Sequence, residues 1–256
     1  MGKKRADLLL VERGLFESRA KARAAIEAGG VAADGRPVLR PADLLDETAA
    51  LTARAAHPWV GRGALKLDHA LTLWPIEVGG RLVLDVGAST GGFTEVCLAR
   101  GARRVYAVDV GRGQLHPRLA IDPRVVSLEG CDARSLSTVQ VPEPIGLVVG
   151  DVSFIGLAKA LPAALALAAP DADLVVLVKP QFELGPGRVG KGGLANDPEA
   201  RADALEGVLG FLEGSGWTVE ATGESPVRGG DGQAELLVWA RKKPPAGRRA
   251  ASLSGG

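Results

Sequence analysis

Apolar positions along this chain fall into three regimes, and each predicts a different kind of element. Up to Ala53 they come in brief stretches cut by glycine. Ala6 to Arg13 has helical composition and stops at Gly14, and Ser18 can cap a second helix, Arg19 to Ala28, that stops at Gly29-Gly30. Val31-Ala32-Ala33 and Arg36-Pro37-Val38 flank Asp34-Gly35, a pair that accepts positive φ and so predicts a two-residue hairpin turn. A further strand is expected over Ala50 to Ala53. In the second regime, Leu67, Leu71 and Trp74 recur at i, i+4 and i+7, which predicts an amphipathic helix over Gly63 to Trp74 with Lys66 on a different stripe. Arg54 to Gly63, carrying Pro58 and two glycines, reads as a semi-rigid linker.

From Arg81 the apolar residues gather into compact valine- and leucine-rich runs. Strands are expected at Leu82–Val86, Arg104–Val108, Val125–Leu128, Leu147–Gly150, Leu174–Val178, Trp217–Ala221 and Glu235–Ala240. Helical stretches separate many of them, among them Pro198 to Gly214 behind an Asp197 cap. Strands that alternate with helices form a parallel sheet joined by crossovers, so the fold class is α/β. The last two strands are linked only by the Gly- and Pro-rich stretch Thr222 to Ala234, which predicts a hairpin and a final strand antiparallel to the rest.

Composition narrows this picture without changing it. The 256 residues have room for one α/β domain and a small appendage, and 46% hydrophobic content with only 4% aromatics suits buried parallel strands. Net charge is +1, yet residues 1–40 hold nine Lys or Arg against five Asp or Glu, and the last sixteen residues hold five basic side chains and no acid. Both ends are basic, and the tail after Lys243 reads as disordered. Cys97 and Cys131 have neither C-x-x-C spacing nor histidine neighbours, so neither a disulfide framework nor a metal site is expected. No apolar run approaches the ~20 residues of a membrane helix, and Leu8 to Val11 is too brief for a signal peptide. A reduced, cytoplasmic protein with no stable membrane association is expected.

The candidate chemistry sits where an open parallel sheet binds ligands, at the carboxyl ends of its strands. Asp85 opens a glycine-rich turn containing Gly87, Ser89, Gly91, Gly92 and Phe93 directly after the first strand of the sheet. Its spacing is not the dinucleotide fingerprint, because Ser89 stands where G-x-G-x-x-G needs glycine, and a nicotinamide reductase loses ground accordingly. Asp109 follows the second strand, where an acid can accept ribose hydroxyls, and Asp132 follows the third, where it can receive an adenine amino group. Asp151 and Lys179 end the fourth and fifth strands and Glu235 begins the antiparallel one, so all three are expected on the same sheet edge.

Two resemblances join these observations. The run from Arg5 through Gly14-Leu15, Ser18-Arg19-Ala20-Lys21-Ala22, Gly30-Val31 and Asp34-Gly35-Arg36 resembles the αL RNA-binding domain of ribosomal protein S-four, which implies RNA phosphate contacts for Arg5, Arg19, Lys21, Arg23 and Arg36. The remainder resembles the FtsJ/RrmJ-like methyltransferases, and the whole resembles the TlyA family of ribosomal RNA 2′-O-methyltransferases. The carrying motifs are Gly61-Arg62-Gly63-Ala64-Leu65-Lys66-Leu67, Asp85–Phe93, Asp151-Val-Ser-Phe-Ile, Val178-Lys-Pro-Gln-Phe-Glu183 and Gly232-Gln-Ala-Glu235. The resemblance implies a seven-stranded Rossmann-like methyltransferase sheet, S-adenosylmethionine as cofactor, no metal, ribosomal RNA or ribosomal subunits as partner, cytidine ribose as target, and RNA contact by Arg62. It also implies a catalytic tetrad of Lys66, Asp151, Lys179 and Glu235. A lysine acting as general base must be depressed from about 10.4 toward about 7–8, and Lys66 close to Lys179 would supply a cation for that. The expected layout is an RNA-binding domain over 1–53, a linker over 54–63, a methyltransferase domain over 64–243 and the basic tail over 244–256. Because relatives have also been described as haemolysins, membrane lysis is the competing reading, with RNA binding without catalysis as another.

Overall fold

The computed structural model describes residues 2–243 apart from 186, 189, 191–194, 196, 230 and 231. The expected disordered tail from residue 244 lies outside the described residues, as does Lys191 in the loop after Lys179. The chain divides into two compact units, Met1–Pro58 and Trp59–Gly256, and the division falls inside the stretch read as a linker.

The first unit runs β1 (Lys3–Arg5), α1 (Ala6–Glu12), α2 (Arg19–Glu27), β2 (Val31–Ala33), β3 (Arg36–Pro37), β4 (Leu44–Asp46) and β5 (Leu51–Ala53). Ser18 caps α2 by accepting the Lys21 amide, and Gly14 at φ +69° and Gly29 at φ +70° carry the chain out of the two helices. Asp34 and Gly35 both take positive φ, +48° and +76°, which is the backbone a tight β2–β3 hairpin requires. β5 adds to β2 as expected. The pairing of β1 with β4 was not expected from sequence. Leu10, Phe16, Ile26, Val31 and Val38 close a small core of their own.

The second unit begins with α3 (Ala64–Leu73), β6 (Leu82–Val86), α4 (Gly92–Ala99), β7 (Arg104–Asp109), α5 (Pro117–Ala120) and β8 (Val125–Glu129). It continues with β9 (Ile145–Gly150), α6 (Leu157–Ala160), α7 (Pro162–Ala166), β10 (Ala168–Val178), α8 (Pro180–Glu183), α9 (Pro198–Gly214), β11 (Trp217–Glu224) and β12 (Leu236–Lys242). These strands form one seven-stranded sheet in the order β11-β12-β10-β9-β6-β7-β8. β12 runs antiparallel to both neighbours, as the missing crossover helix predicts, while β6 to β10 pair in parallel. β10 starts six residues earlier than expected, at Ala168 instead of Leu174, through an irregular stretch in which Asp171 sits at φ +62°.

Alternation along the strands fills two cores. Val83, Leu147, Val149, Val175 and Leu177 pack with Leu67, Leu71 and Trp74 on one face, whereas Leu84, Val148, Leu174, Val176 and Val178 pack with Leu161, Leu212 and Trp217 on the other. Each fully buried leucine contributes about 1.5–3 kcal/mol, which makes the sheet a rigid platform for its edges. Register then fixes the site. Val86 lies beside Gly150, Val176 pairs with Gly150 on the far side, and Val178 opposes Leu236. The residues that follow or precede these ends, Gly87, Asp151, Lys179 and Glu235, are thereby gathered on one edge.

Candidate active site

Two loops meet at the carboxyl edge with no room between them. A Cβ on Gly87, whose φ is +81°, would stand 2.9 Å from the Asp151 carbonyl oxygen, so only glycine lets the turn after β6 pass the loop after β9. Gly87 and Ala88 both donate their amides to the Val108 carbonyl, and Gly92 abuts the start of α3, where a Cβ would meet the Ala64 nitrogen at 2.9 Å. The turn is therefore set by β7 on one side and by α3 on the other.

Asp109, at the end of β7, accepts the Ser89 amide on Oδ2 at 2.8 Å and the Gly111 amide on Oδ1 at 2.7 Å. Around this carboxylate lies a cavity of ≈ 310 Å³ lined by Gly87, Ser89, Val110, Asp132, Asp151 and Ile155 among others. A second cavity of ≈ 300 Å³, lined by Arg62, Lys66, Phe93, Asp151 and Lys179, adjoins it. Both cavities are lined by Gly87, Ser89, Asp151 and Ser153, which therefore form their common wall.

Asp151 on that wall belongs to a chain of four charged side chains, of which Lys66 and Lys179 line the second cavity and Glu235 lines neither. Lys66 Nζ lies 2.6 Å from Glu235 Oε2 and 3.2 Å from Asp151 Oδ2, and Lys179 Nζ lies 2.5 Å from Asp151 Oδ1. Lys179 also donates to the Ser153 hydroxyl at 2.7 Å. The side chains of Lys66, Lys179 and Glu235 are all below one-tenth exposed, so two cations and two anions are neutralised largely out of water. Burial raises the Glu235 carboxyl above its ordinary range, against the pull of Lys66 in the other direction.

Several sequence expectations are corrected here. Lys66, expected on a stripe different from that of Leu67, Leu71 and Trp74, is buried as they are, because the buried face of α3 is wider than the Leu67, Leu71, Trp74 line. The two lysines share one carboxylate, with Asp151 between them, so Lys66 meets Lys179 through an intervening anion and not as a bare neighbouring cation. Asp85 lines neither cavity. It is fully buried beneath the turn, accepts the Thr94 hydroxyl at 2.7 Å, and burial pushes its carboxyl up to about 7. Gly91 also lines neither cavity; at φ +90° it begins α4, and a Cβ there would strike Leu115 and Leu119. Asp132 reaches the first cavity, but both its oxygens are engaged by Arg134, which holds its carboxyl down at about 2 and competes with any adenine amino group.

The basic residues expected to meet RNA are distributed unevenly. Arg5 and Arg19 both clamp Asp7, Arg5 through two bonds of 3.0 Å and Arg19 through one of 3.0 Å, so part of each guanidinium serves the fold. The Asp7 side chain is fully buried, and its bonds from Arg5 bring its carboxyl down to about 2. Lys21 pairs with Glu17 and Arg23 with Glu27, while Arg36 is exposed on the β2–β3 hairpin. In the second unit Arg62 lines the second cavity and donates to the Arg228 carbonyl at 3.3 Å.

Three residues of the site carried no assigned role in the sequence. Ser153 is the second acceptor of Lys179, Phe154 is 91% exposed at φ +68° with its ring 5.4 Å from that of Phe182, and Glu183 binds the start of α6. All lie within motifs quoted above, so the signal was present as a string and lacked only a direction for each side chain. Gln233, from another such motif, is a fully buried strut that exchanges two hydrogen bonds with the Ala195 backbone. Among the described residues no group of three or more His, Cys, Asp or Glu is placed to hold a metal ion, and no helix is long and apolar enough to cross a membrane.

Comparison with known proteins bears on the whole of this architecture. Residues 59–242 match the FtsJ-like methyltransferase family and residues 4–50 match the S4 domain. The chain is 48% identical over 239 residues to "16S/23S rRNA (cytidine-2'-O)-methyltransferase TlyA" of Mycobacterium tuberculosis, covering 93% of this chain and 89% of that one. It is 42% identical over 242 residues to "Putative rRNA methyltransferase YqxC" of Bacillus subtilis, covering 92% and 85%. The solved structure called "Putative hemolysin from Streptococcus thermophilus" superposes with a TM-score of 0.74 at 37% identity, over 95% of this chain and 90% of that chain.

Proposed function

We propose, because this chain belongs to the TlyA family of FtsJ-like methyltransferases, that it transfers a methyl group from S-adenosylmethionine to the ribose 2′-hydroxyl of a cytidine in ribosomal RNA. The observation that carries the reading is the charge chain Lys66, Asp151, Lys179 and Glu235, which meets the wall shared by two cavities at Asp151 and lines the second cavity with its two lysines. A transfer reaction needs its two reactants in adjoining sites that touch at one point, and the catalytic side chains belong at that point.

The first cavity suits the cofactor. Its volume, ≈ 310 Å³, is in the range of about 300–1,000 Å³ that ligand clefts occupy. Asp109 is pinned by two backbone amides, and each of its oxygens keeps a lone pair for a ribose diol. When bound there, S-adenosylmethionine supplies a methyl group on a positively charged sulfur. Everything else falls to side chains of this protein. Lys179, in its neutral form, takes the 2′-hydroxyl proton at Nζ, and the ammonium that results is the ion Asp151 and Ser153 are placed to bind. Lys66 and Glu235 keep Asp151 oriented from behind, Glu235 acting through Lys66 and not on the substrate.

The second cavity, rimmed by Arg62 and reaching Lys179, receives the nucleotide. Arg19, Lys21, Arg23 and Arg36, with the free edge of Arg5, position the RNA through its phosphates without reading sequence. Ribosomal RNA or a ribosomal subunit is the partner, and the reaction takes place in the cytoplasm. The test is incorporation of labelled methyl groups into ribosomal RNA or subunits from cells lacking the gene, with the modified position mapped as a 2′-O-methyl. Lys179→Ala should bind S-adenosylmethionine and lose about 10²–10⁴-fold in transfer rate. A wild-type protein that leaves the RNA unlabelled overturns the reading, and a fully active Lys179→Ala overturns the assignment of the base.

A further inference from the structure

The loop that forms the shared wall, residues 151–156, is held at both ends by one short segment. Lys179, immediately before α8, binds the beginning of the loop through Asp151 and Ser153. Glu183, at the end of α8, binds the residue that follows it: both its oxygens accept the Leu157 amide, at 3.0 and 3.2 Å. Gly156 passes so close beneath that a Cβ would meet Glu183 Oε2 at 3.0 Å and the Phe182 carbonyl at 3.2 Å. Gly156 is also the N-cap of α6 and has no side chain to offer the helix's first amides. Glu183 supplies from another element the carboxylate that an Asp or Ser cap would have supplied locally.

What hangs between the two attachments is the working surface. Val152, Ser153, Phe154 and Ile155 line the first cavity, and Asp151 and Ser153 line the second. Phe154 sits at φ +68°, a left-handed conformation that a phenylalanine keeps only where its surroundings hold it, and it is too exposed for packing alone to do so. The ring it meets among the described residues, that of Phe182, belongs to the same α8 segment. Glu183 itself is held above its ordinary carboxyl range by burial, a cost the Leu157 bond partly offsets.

We propose that Glu183 is a positioning residue for the methyl transfer, fixing the 151–156 loop so that the walls of both cavities are formed before either reactant arrives. The inference rests on the function proposed above. It separates Glu183 from the tetrad, because Glu183 touches none of the reacting groups and acts on binding of both reactants.

The full-length protein is compared with Glu183→Gln, Glu183→Asp and Glu183→Ala by steady-state kinetics with S-adenosylmethionine and ribosomal RNA, and by hydrogen exchange at the Leu157 amide. Glu183→Asp keeps the charge but withdraws it by one methylene. It should raise KM for both reactants about tenfold, with kcat within about threefold of wild type, and it should speed exchange at Leu157. Glu183→Ala should follow it where it folds. Glu183→Gln keeps an oxygen that can accept the same amide and should restore both KM values and the slow exchange. If Glu183→Asp exposes Leu157 while both KM values stay at the wild-type level, the residue is merely structural and the proposal fails. It fails equally if Glu183→Gln is as impaired as Glu183→Asp. Because wild-type turnover is measured in the same experiment, its absence would count against the function and not against the role of Glu183.

Discussion

Replacing Lys66 by methionine tests whether the tetrad is held together as a charge chain. The substitution keeps most of the apolar stem, which is buried on α3, and removes only the ammonium. Glu235, whose side chain is 2% exposed, then loses the cation 2.6 Å away and keeps a like-charged neighbour in Asp151. Removing one member of a buried pair costs about 3–5 kcal/mol. The lower end applies because Glu235 already sits above its ordinary range and can shed its charge by binding a proton. At about 2–4 °C per kcal/mol for a unit of this size, a loss of about 3 kcal/mol lowers Tm by about 6–12 °C. The sign of the pH dependence follows from linkage. A carboxyl whose folded pKa is raised binds more protons folded than unfolded, so stability is greatest below the unfolded pKa and falls as pH rises toward the folded one. The deficit of Lys66→Met should therefore be small near pH 5 and full near pH 8. All four tryptophans, Trp59, Trp74, Trp217 and Trp239, lie in the second unit, so fluorescence-detected urea unfolding of the whole protein reports that unit alone. Adding Glu235→Gln should recover most of the loss. Equal stability of Lys66→Met and wild type at pH 8, a deficit that grows on acidification, or a double variant no better than the single would each refute the reasoning.

Three further outcomes follow from the same geometry. Gly87→Ala must place a Cβ against the Asp151 carbonyl at φ +81°; it should cost at least about 1–2 kcal/mol of stability and weaken S-adenosylmethionine binding measured by calorimetry. Asp109→Ala removes the charged acceptor of the first cavity and frees the Ser89 and Gly111 amides; at about 1.5–3 kcal/mol for a charge-assisted bond, affinity for the cofactor should fall roughly 10- to 150-fold. In the first unit, Asp7 is depressed to about 2 by the bonds from Arg5 and then Arg19, so its contribution is present above the unfolded pKa and disappears as pH falls from about 4 to about 2. Discounted for the half-exposed arginines, that is on the order of 1–2 kcal/mol, and the Leu10 and Ile26 methyl resonances should show the first unit of Asp7→Asn losing less stability over this interval than wild type.

What could be read from sequence was whatever is decided locally. Buried parallel strands announce themselves as valine and leucine runs because they are covered on both faces, and the seven strands predicted here correspond to the seven observed, the half-exposed edge strand β11 included. The Asp34-Gly35 turn and the Ser18 and Asp197 caps are equally local. β1 and β4 escaped because three-residue strands such as Lys3-Lys4-Arg5 have no apolar signature and exist only through each other. The burial of Lys66 escaped for a related reason: its partners stand at positions 151 and 235, and no pattern within α3 can show that a charge will be met so far along the chain. Arg5 and Arg19 looked like free cations because Asp7, which they share, is separated from Arg19 by a helix and a turn.

Strand order nevertheless made part of the site accessible before any side chain was placed. The end of a parallel strand is a fixed address on the sheet, and Gly87, Asp151 and Lys179 each follow directly on such an end. Glu235 shares the edge only because β12 is reversed: a strand joined by a crossover helix would have begun at the opposite edge, about 20 Å away across strands of five or six residues. The hairpin linkage that reverses β12 is therefore as much a part of the proposed catalytic arrangement as the four side chains themselves, since it delivers Glu235 to Lys66 from the side that the parallel strands cannot reach.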